Sequence, residues 1–528
     1  MFAFFYLRRY RNPYETDNTS FWTSVFALIV VLITSALLPV DIFLASYMKN
    51  ANGTFKEWAT SQEVRDSLES SILYSYYALY GVVFTCIFIV IPFAYFYFEE
   101  REDDIFGSGN SARLSSAIKF TMVFVVVAVA LLLIGAFIPL RESPPSNSTD
   151  WEKIEFLFGD LTRNRGEDAL SMVLSILSLF GMINLIFYTG FGIFSWPMGL
   201  IRGTRSARNQ SEEIQEQHLV NQTRINALKD KERIGGRLSA RERKQLAKLE
   251  ETERQITRQE QLVEEVRGSL WYKCRKLLRP MEIAMGILLI ILAFLVWISL
   301  LLANIDKAMN SLGPKMGYTL KERSLPNPID IILVYMQKVF PLDYLLLFVI
   351  TWFLVLCTIS GIRNLGIRIL FVKMYKLRVR RTKPQGLLLT CVTLMLTVLA
   401  INIFIYCVSP QYATFGSQKF IQPDMFDVNG TKIANATIVP CNTHINSTEC
   451  TMTRNSALLT RFFYKAWFFG AAYYWCTWLF VAVSAISLCY VILRKTKDVT
   501  DGLEDEDDIE ESDDDELLNR GRRSNRAQ

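Results

Sequence analysis

"WTSVFALIVVLITSALLPVDIFLASY" runs from Trp22 to Tyr47 and carries one charged side chain, Asp41, close to its end. A helix that crosses the hydrocarbon core of a bilayer needs about 20 mainly apolar residues, and this stretch is long enough. The same test is met at residues 73–98, 117–140, 170–196, 283–302, 344–362, 387–408 and 462–493. With 51% hydrophobic residues and 36 Phe among 528, the chain has little left from which to build a soluble core. The fold class that follows is all-α: a polytopic transmembrane helical bundle of about eight spans.

Lys and Arg in short loops stay on the cytosolic side. Arg8, Arg9 and Arg11 precede the first span, residues 201–280 are dense in Lys and Arg, and residues 363–383 are basic with no acid. Both termini are therefore expected in the cytosol, and the loops around Asn52, around Asn147, at 303–341 and at 409–461 on the lumenal side. The segment "NGTKIANATIVPCNTHINSTEC", from Asn429 to Cys450, agrees with this, since it holds three Asn-x-Ser/Thr acceptors and two cysteines. Asn52, Asn147, Asn429, Asn435 and Asn446 fall on the lumenal side as expected glycosylation sites. Asn18, Asn209 and Asn221 fall on the other side and are expected to be bare.

The chain thus divides into a cytosolic N-terminal segment (1–21), spans one to four (22–200), a cytosolic helical hairpin (201–280), spans five to seven (281–408), a glycosylated lumenal loop (409–461), span eight (462–494) and a cytosolic acidic tail (495–528). In 201–280, Leu246, Leu249, Ile256, Val263 and Val266 fall near one helical face, with Gly235-Gly236 as the turn. "PNPIDIILVYMQKVFP", Pro326 to Pro341, is too short to span and reads as an interfacial or re-entrant helix. The tail from Asp501 to Glu516 is too charged to pack and is expected to be disordered.

The net charge of +5 is a small difference between uneven blocks and points to no nucleic acid. Nine Cys without a Cys-x-x-Cys pair and only two His leave a metal site few ligands. No Gly-x-Ser-x-Gly, His-Glu-x-x-His or Gly-x-x-x-x-Gly-Lys-Ser/Thr pattern occurs, so the expectation is no enzyme and no catalytic residue. Asp41 is the intramembrane polar candidate, because an acid there must be paired, hydrated or protonated. Its place near the lumenal end makes interfacial hydration the first expectation. Asp343 sits at a helix start, where it meets the helix dipole as a cap; nothing in the sequence brings Asp41, Asp330 and Asp343 together as a carboxylate dyad. Cys441 and Cys450, nine residues apart in an oxidising loop, are expected to form a disulfide, and His444 between them reads as a polar loop residue. Asp513 with Leu517 and Leu518 has the spacing of an acidic dileucine sorting signal for a clathrin adaptor.

Six longer strings add a resemblance: "LITSALLPVDIFLASYMKNANGTFKEWA" (Leu32 to Ala59), "LIRGTRSA" (Leu200 to Ala207), "VFPLDY" (Val339 to Tyr344), "GIRNLGI" (Gly361 to Ile367), "SPQYATFGSQ" (Ser409 to Gln418) and "KAWFFGAAYY" (Lys465 to Tyr474). In order along nearly the whole chain, they resemble the limb-region-1-like membrane protein family. The resemblance implies a multi-pass lysosomal membrane protein that helps cobalamin leave the lysosome, with cobalamin as transported ligand and no firmly bound cofactor. It implies a lysosomal ATP-binding cassette transporter as partner, and a second association with clathrin-adaptor endocytosis of the insulin receptor, at the plasma membrane and in clathrin-coated vesicles. The family pattern has nine spans, and "MFAFFYLRRY" is similar to the last turns of a further family helix. An endocytic scaffold without a conduit is the alternative function; a channel, which needs a polar pore face, ranks last.

Overall fold

The computed structural model describes residues 1–11, 18–50, 52–103, 110–137, 167–203, 207–233, 270–311, 325–369, 372–375, 382–422, 425–426, 432–434, 437–441, 450–456 and 467–493, with isolated positions between them. Asn147, Asn429, Asn435, Asn446, His444, Val263, Val266, the Gly235-Gly236 turn and the acidic tail with Asp513, Leu517 and Leu518 lie outside the described residues.

Among the described residues, eight helices are long and apolar enough to cross a membrane, one at each expected place. A short α1 (Phe2–Tyr10) leads into α2 (Thr19–Tyr47). The second span joins α3 (Gln62–Thr85) to α4 (Ile91–Asp103) through a π turn at Cys86–Val90, and α5 (Asn110–Phe137) follows. The fourth joins α6 (Glu167–Asn184) to α7 (Gly190–Arg202) through a π turn at Leu185–Thr189. After α8 (Ala207–Arg233) come the spans α9 (Leu270–Asn310), α11 (Leu342–Leu365), α12 (Pro384–Val408) and α14 (Trp467–Leu493). The short helices α10 (Pro328–Met336) and α13 (Pro410–Phe415) lie between them.

The chain divides into two compact units. In the first, residues 1–196 and 291–489, α12 is central: 78% of its apolar window is buried, against 17% for α5. Several threonine hydroxyls inside the spans find partners without water. Thr34, Thr351, Thr358, Thr390 and Thr397 each donate to the carbonyl four residues back, as a solvent without hydrogen bonds requires. Glycine sets the closest helix crossings. A Cβ on Gly192 would lie 1.9 Å from the Cys357 carbonyl oxygen, and one on Gly361 2.0 Å from that of Tyr188. Only a residue without a side chain lets two backbones meet this closely.

The second unit, residues 197–290 and 490–528, holds the hairpin. The Asn221 amide donates to the Leu249 carbonyl at 3.0 Å and to Glu253 at 2.6 Å, and His218 approaches Glu253 at 3.0 Å. These contacts lay the returning arm along α8. Arg279 donates to the carbonyls of Leu200 and Ile201, the C-terminal end of α7, and pairs with Glu282. Gly203, at φ +68°, stops α7 in the left-handed conformation that favours glycine. Thr204 and Arg205 after it lie outside the described residues.

The loops hold short strands that an all-helical reading treats as irregular chain. β1 (Ile367–Ile369) pairs antiparallel with β2 (Val372–Tyr375), β3 (Lys419–Gln422) with β6 (Thr437–Pro440), and β4 (Met425–Phe426) with β5 (Lys432–Ala434). Phe420, Ile421 and Ile438 supply the β-prone residues of the longest pair.

Candidate functional site

Pro39 sits inside α2, where it has no N–H to give the helix. Two residues on, Asp41 is 1% exposed. Its carboxylate accepts the Tyr76 hydroxyl at 3.2 Å, the Arg454 N–H at 3.3 Å and the Asn455 N–H at 2.9 Å. The expected hydration by interfacial water is therefore corrected: the chain that follows Cys450 folds over Asp41 and supplies two of its three donors, and Tyr76 of α3 supplies the third. Those two N–H groups open a helical turn whose cap is Thr453, since its hydroxyl oxygen accepts the Ser456 N–H at 3.3 Å. Asp41 is thus the anion at a helix start. The guanidinium of Arg454 pairs with Glu69 on α3. Burial pulls the Arg454 side chain below its usual value, opposed by the nearby Asp41 and Asp66.

Asp343 and Asp330 form a second buried node, at 1% and 5% exposure. Tyr412 of α13 lies between them, its hydroxyl donating to Asp343 at 2.9 Å and its N–H to Asp330 at 3.1 Å. The two acids bind different groups of one tyrosine, and Asp343 does more than cap α11. Burial pushes the Tyr412 hydroxyl well above its ordinary pKa, as does the Asp343 charge. Removing that hydroxyl leaves a buried carboxylate oxygen short of a donor, which costs about 1–3 kcal/mol. Tyr412→Phe is therefore expected to lower the thermal unfolding midpoint of the detergent-solubilised protein. An unchanged midpoint would mean that this bond contributes nothing.

The rest of "SPQYATFGSQ" ties the same end together. Gly416 has φ +59°, and a Cβ there would meet the Ser46 hydroxyl oxygen at 1.8 Å, while Ser417 N–H donates to that oxygen at 3.0 Å. Gln418 accepts the Thr451 N–H at 3.0 Å and donates to the Thr451 carbonyl at 2.7 Å. Cys441 and Cys450 stand joined beside it, their Cα atoms 6.0 Å apart. Thr453 donates through its hydroxyl to the Ala413 carbonyl at 2.7 Å and through its N–H to that of Thr414 at 2.8 Å.

Beside Asp41 lies a cavity of about 60 Å³, lined among others by Tyr80 of α3, Ser175 and Ser178 of α6, Asn402 of α12 and Asn455. Asn402 donates to the Tyr80 hydroxyl at 3.2 Å. Sequence reading named Asp41 and Asp343 but missed Tyr76, Tyr80, Asn402, Tyr412, Arg454 and Asn455. Asn402, an asparagine in the otherwise apolar C-terminal half of α12, was the detectable signal. Among the described residues, no group of three His, Cys, Asp or Glu is placed to hold a metal.

Asn52, which alone of the five acceptors expected on the lumenal side lies among the described residues, is exposed in a turn closed by the Asn50 N–H and the Thr54 carbonyl at 2.8 Å. Asn18 is exposed and accepts a hydrogen bond from Arg11 at 3.0 Å, whereas Asn221 is buried in the hairpin.

Residues 1–268 match the model of the family described as LMBR1-like membrane protein. A probable lysosomal cobalamin transporter of Nematostella vectensis is 41% identical over 97% of this chain and 95% of its own length. The lysosomal cobalamin transport escort protein LMBD1 of Bos taurus is 40% identical over 98% and 94%, and that of Gallus gallus 41% over 97% and 94%. No solved structure matches. Resemblance in the six strings, a family model over half the chain and relatives matched from end to end converge: this chain belongs to the LMBR1-like membrane protein family.

Proposed function

We propose that this protein resides in the lysosomal membrane and serves the export of cobalamin to the cytosol, as escort to a transporter that supplies the energy. The observation that carries the reading is identity of about 40% along almost the whole length of relatives named for lysosomal cobalamin transport. The sequence has no Walker-type nucleotide-binding pattern, so an ATP-binding cassette transporter is the partner class that completes the function. The scaffold for insulin-receptor endocytosis is not favoured, because the relatives' names speak of cobalamin transport. The test is complementation: cells lacking their own cobalamin escort protein should regain cofactor forms of the vitamin when this chain is expressed. Failure to regain them, with the protein present in lysosomes, would count against the reading.

The end carrying Cys441–Cys450 is the lumenal one in this account. Sugar is expected on Asn52, Asn147, Asn429, Asn435 or Asn446 and not on Asn18, Asn209 or Asn221. The amide of Asn221, turned into the hairpin, supports the second half of that expectation. Asn→Gln scanning with enzymatic deglycosylation checks it, and sugar on Asn221 would invert the topology. Non-reducing peptide mapping should find Cys441 bonded to Cys450; two free thiols would refute that pairing.

The dileucine pattern leads to a sorting prediction. Leu517→Ala together with Leu518→Ala should shift the protein from lysosomes toward the plasma membrane, since an adaptor pocket loses its apolar anchors. Imaging in cells without the partner transporter isolates this signal, and unchanged localisation would show the pattern to be unused.

A further inference from the structure

Two basic stretches far apart in the sequence meet in one place. The Thr382 N–H donates to the Tyr10 carbonyl at 3.1 Å, and Arg11 and Thr382 pair as an isolated β-bridge. The end of α1, with Arg8 and Arg9 exposed, is thereby laid beside Lys383, which is exposed at the start of α12. Arg363, exposed in the last turn of α11, is near enough to act electrostatically on the Tyr6 hydroxyl of α1. The β1–β2 hairpin that follows α11 adds Arg368 and Lys373. It lies against the first turn of α12, where a Cβ on Gly386 would stand 3.4 Å from that of Tyr375. No acid interrupts residues 1–11 or 363–383. Tyr375 also bonds Tyr95 of α4, near Glu99, so acid borders the surface there.

Orienting a membrane protein requires cations in its cytosolic loops but not their assembly, and part of this assembly is unfavourable in itself. Arg8, Arg9 and Arg363 stand at helix C-termini, where the dipole favours a cation. Lys383 stands at the N-terminal end of α12, where the dipole opposes it. The hairpin register sets Arg368 directly across from Lys373, and like charges so placed repel. An anion at this surface relieves both conflicts.

Place and charge select the anion. Arg363 closes one span and Lys383 opens the next, so the surface lies at the level of the lipid headgroups. Trp22, exposed beside Phe4 of α1 with ring centres 6.0 Å apart, marks the same level. A serine headgroup brings a single net charge to six cations. Cross-strand positions stand about 4.5–5.5 Å apart, a spacing commensurate with that of neighbouring phosphates on one inositol ring, and basic clusters just cytosolic of a span attract such lipids. We infer that this surface binds the headgroup of a polyphosphorylated inositol lipid in the cytosolic leaflet, held among Arg8, Arg9, Arg363, Arg368, Lys373 and Lys383. The inference goes beyond the export reading and does not depend on it: the lipid composition of the membrane becomes an input to the protein.

The experiment uses the purified full chain in phosphatidylcholine nanodiscs, with a fluorescent short-chain phosphatidylinositol bisphosphate as the probe. Arg368→Gln with Lys373→Gln, and Arg8→Gln with Arg9→Gln, should each weaken binding of the probe by about tenfold or more. Lys56→Gln with Lys338→Gln removes the same charge at the other end of the bundle and should leave binding unchanged. On the unaltered chain, affinity should fall as salt rises, and short-chain phosphatidylserine at matched charge should fail to displace the probe. Inositol trisphosphate, the headgroup without its lipid, should displace it only at much higher concentration. These last three readings need no variant, so they stand even if a Gln pair fails to fold.

An affinity unchanged by both basic pairs would overturn the site, as would an equal loss for the Lys56 and Lys338 pair. Displacement by phosphatidylserine as effective as by the bisphosphate would reduce the surface to general charge and overturn it too. Equal affinity for inositol trisphosphate would overturn the lipid as occupant in favour of a soluble inositol phosphate.

Discussion

Asp41→Ala is expected to destabilise the protein by about 3–5 kcal/mol, the scale seen when one partner of a buried charged network is removed. The carboxylate satisfies the Tyr76 hydroxyl and the N–H groups of Arg454 and Asn455, and alanine leaves all three facing a gap. The partly buried Arg454 also loses the nearby negative charge. Asp41→Asn keeps one acceptor oxygen and is expected to cost less. The check is the unfolding midpoint of each variant in detergent, read with the fraction that leaves the endoplasmic reticulum. Equal midpoints for Asp41→Ala and the unaltered protein would show that the node contributes nothing to the fold.

Gly192→Ala and Gly361→Ala should be comparably damaging for a different reason. The added methyl would overlap a carbonyl oxygen of the neighbouring helix, at 1.9 Å and 2.0 Å, and backbone cannot swing aside as a side chain can. Overpacking in ordinary cores costs about 1–3 kcal/mol; here two helices must move apart, so the upper end or beyond is expected. The crossing also carries a hydrogen bond between the hydroxyls of Thr189 and Thr358, 2.7 Å apart, which separation would break. Gly199, whose Cβ meets nothing within 4 Å, is the control: Gly199→Ala should be tolerated. Loss of folded protein for Gly199→Ala equal to that for the other two would remove the close-approach explanation.

All eight spans were legible in the sequence because apolar length alone reports them. Their ends were less so. The fifth span read as 283–302, yet α9 covers Leu270–Asn310; hydropathy marks where water begins, while the helix runs on through polar residues. The partners of Asp41 were illegible, since Arg454 and Asn455 lie 413 and 414 residues away and no local period carries such a contact. Tyr412 was visible only inside a string noted for its resemblance. Its bridging of Asp330 and Asp343 needed the fold of α10, α11 and α13. The strands escaped notice because each is at most four residues long, too short for an alternating pattern to declare itself.

The claim that this protein serves lysosomal export is tested most directly by labelled cobalamin in lysosomes purified from cells with and without it. The account predicts that cobalamin accumulates in lysosomes lacking the protein and leaves them again when the unaltered chain is restored. Equal retention with and without the protein would contradict the account.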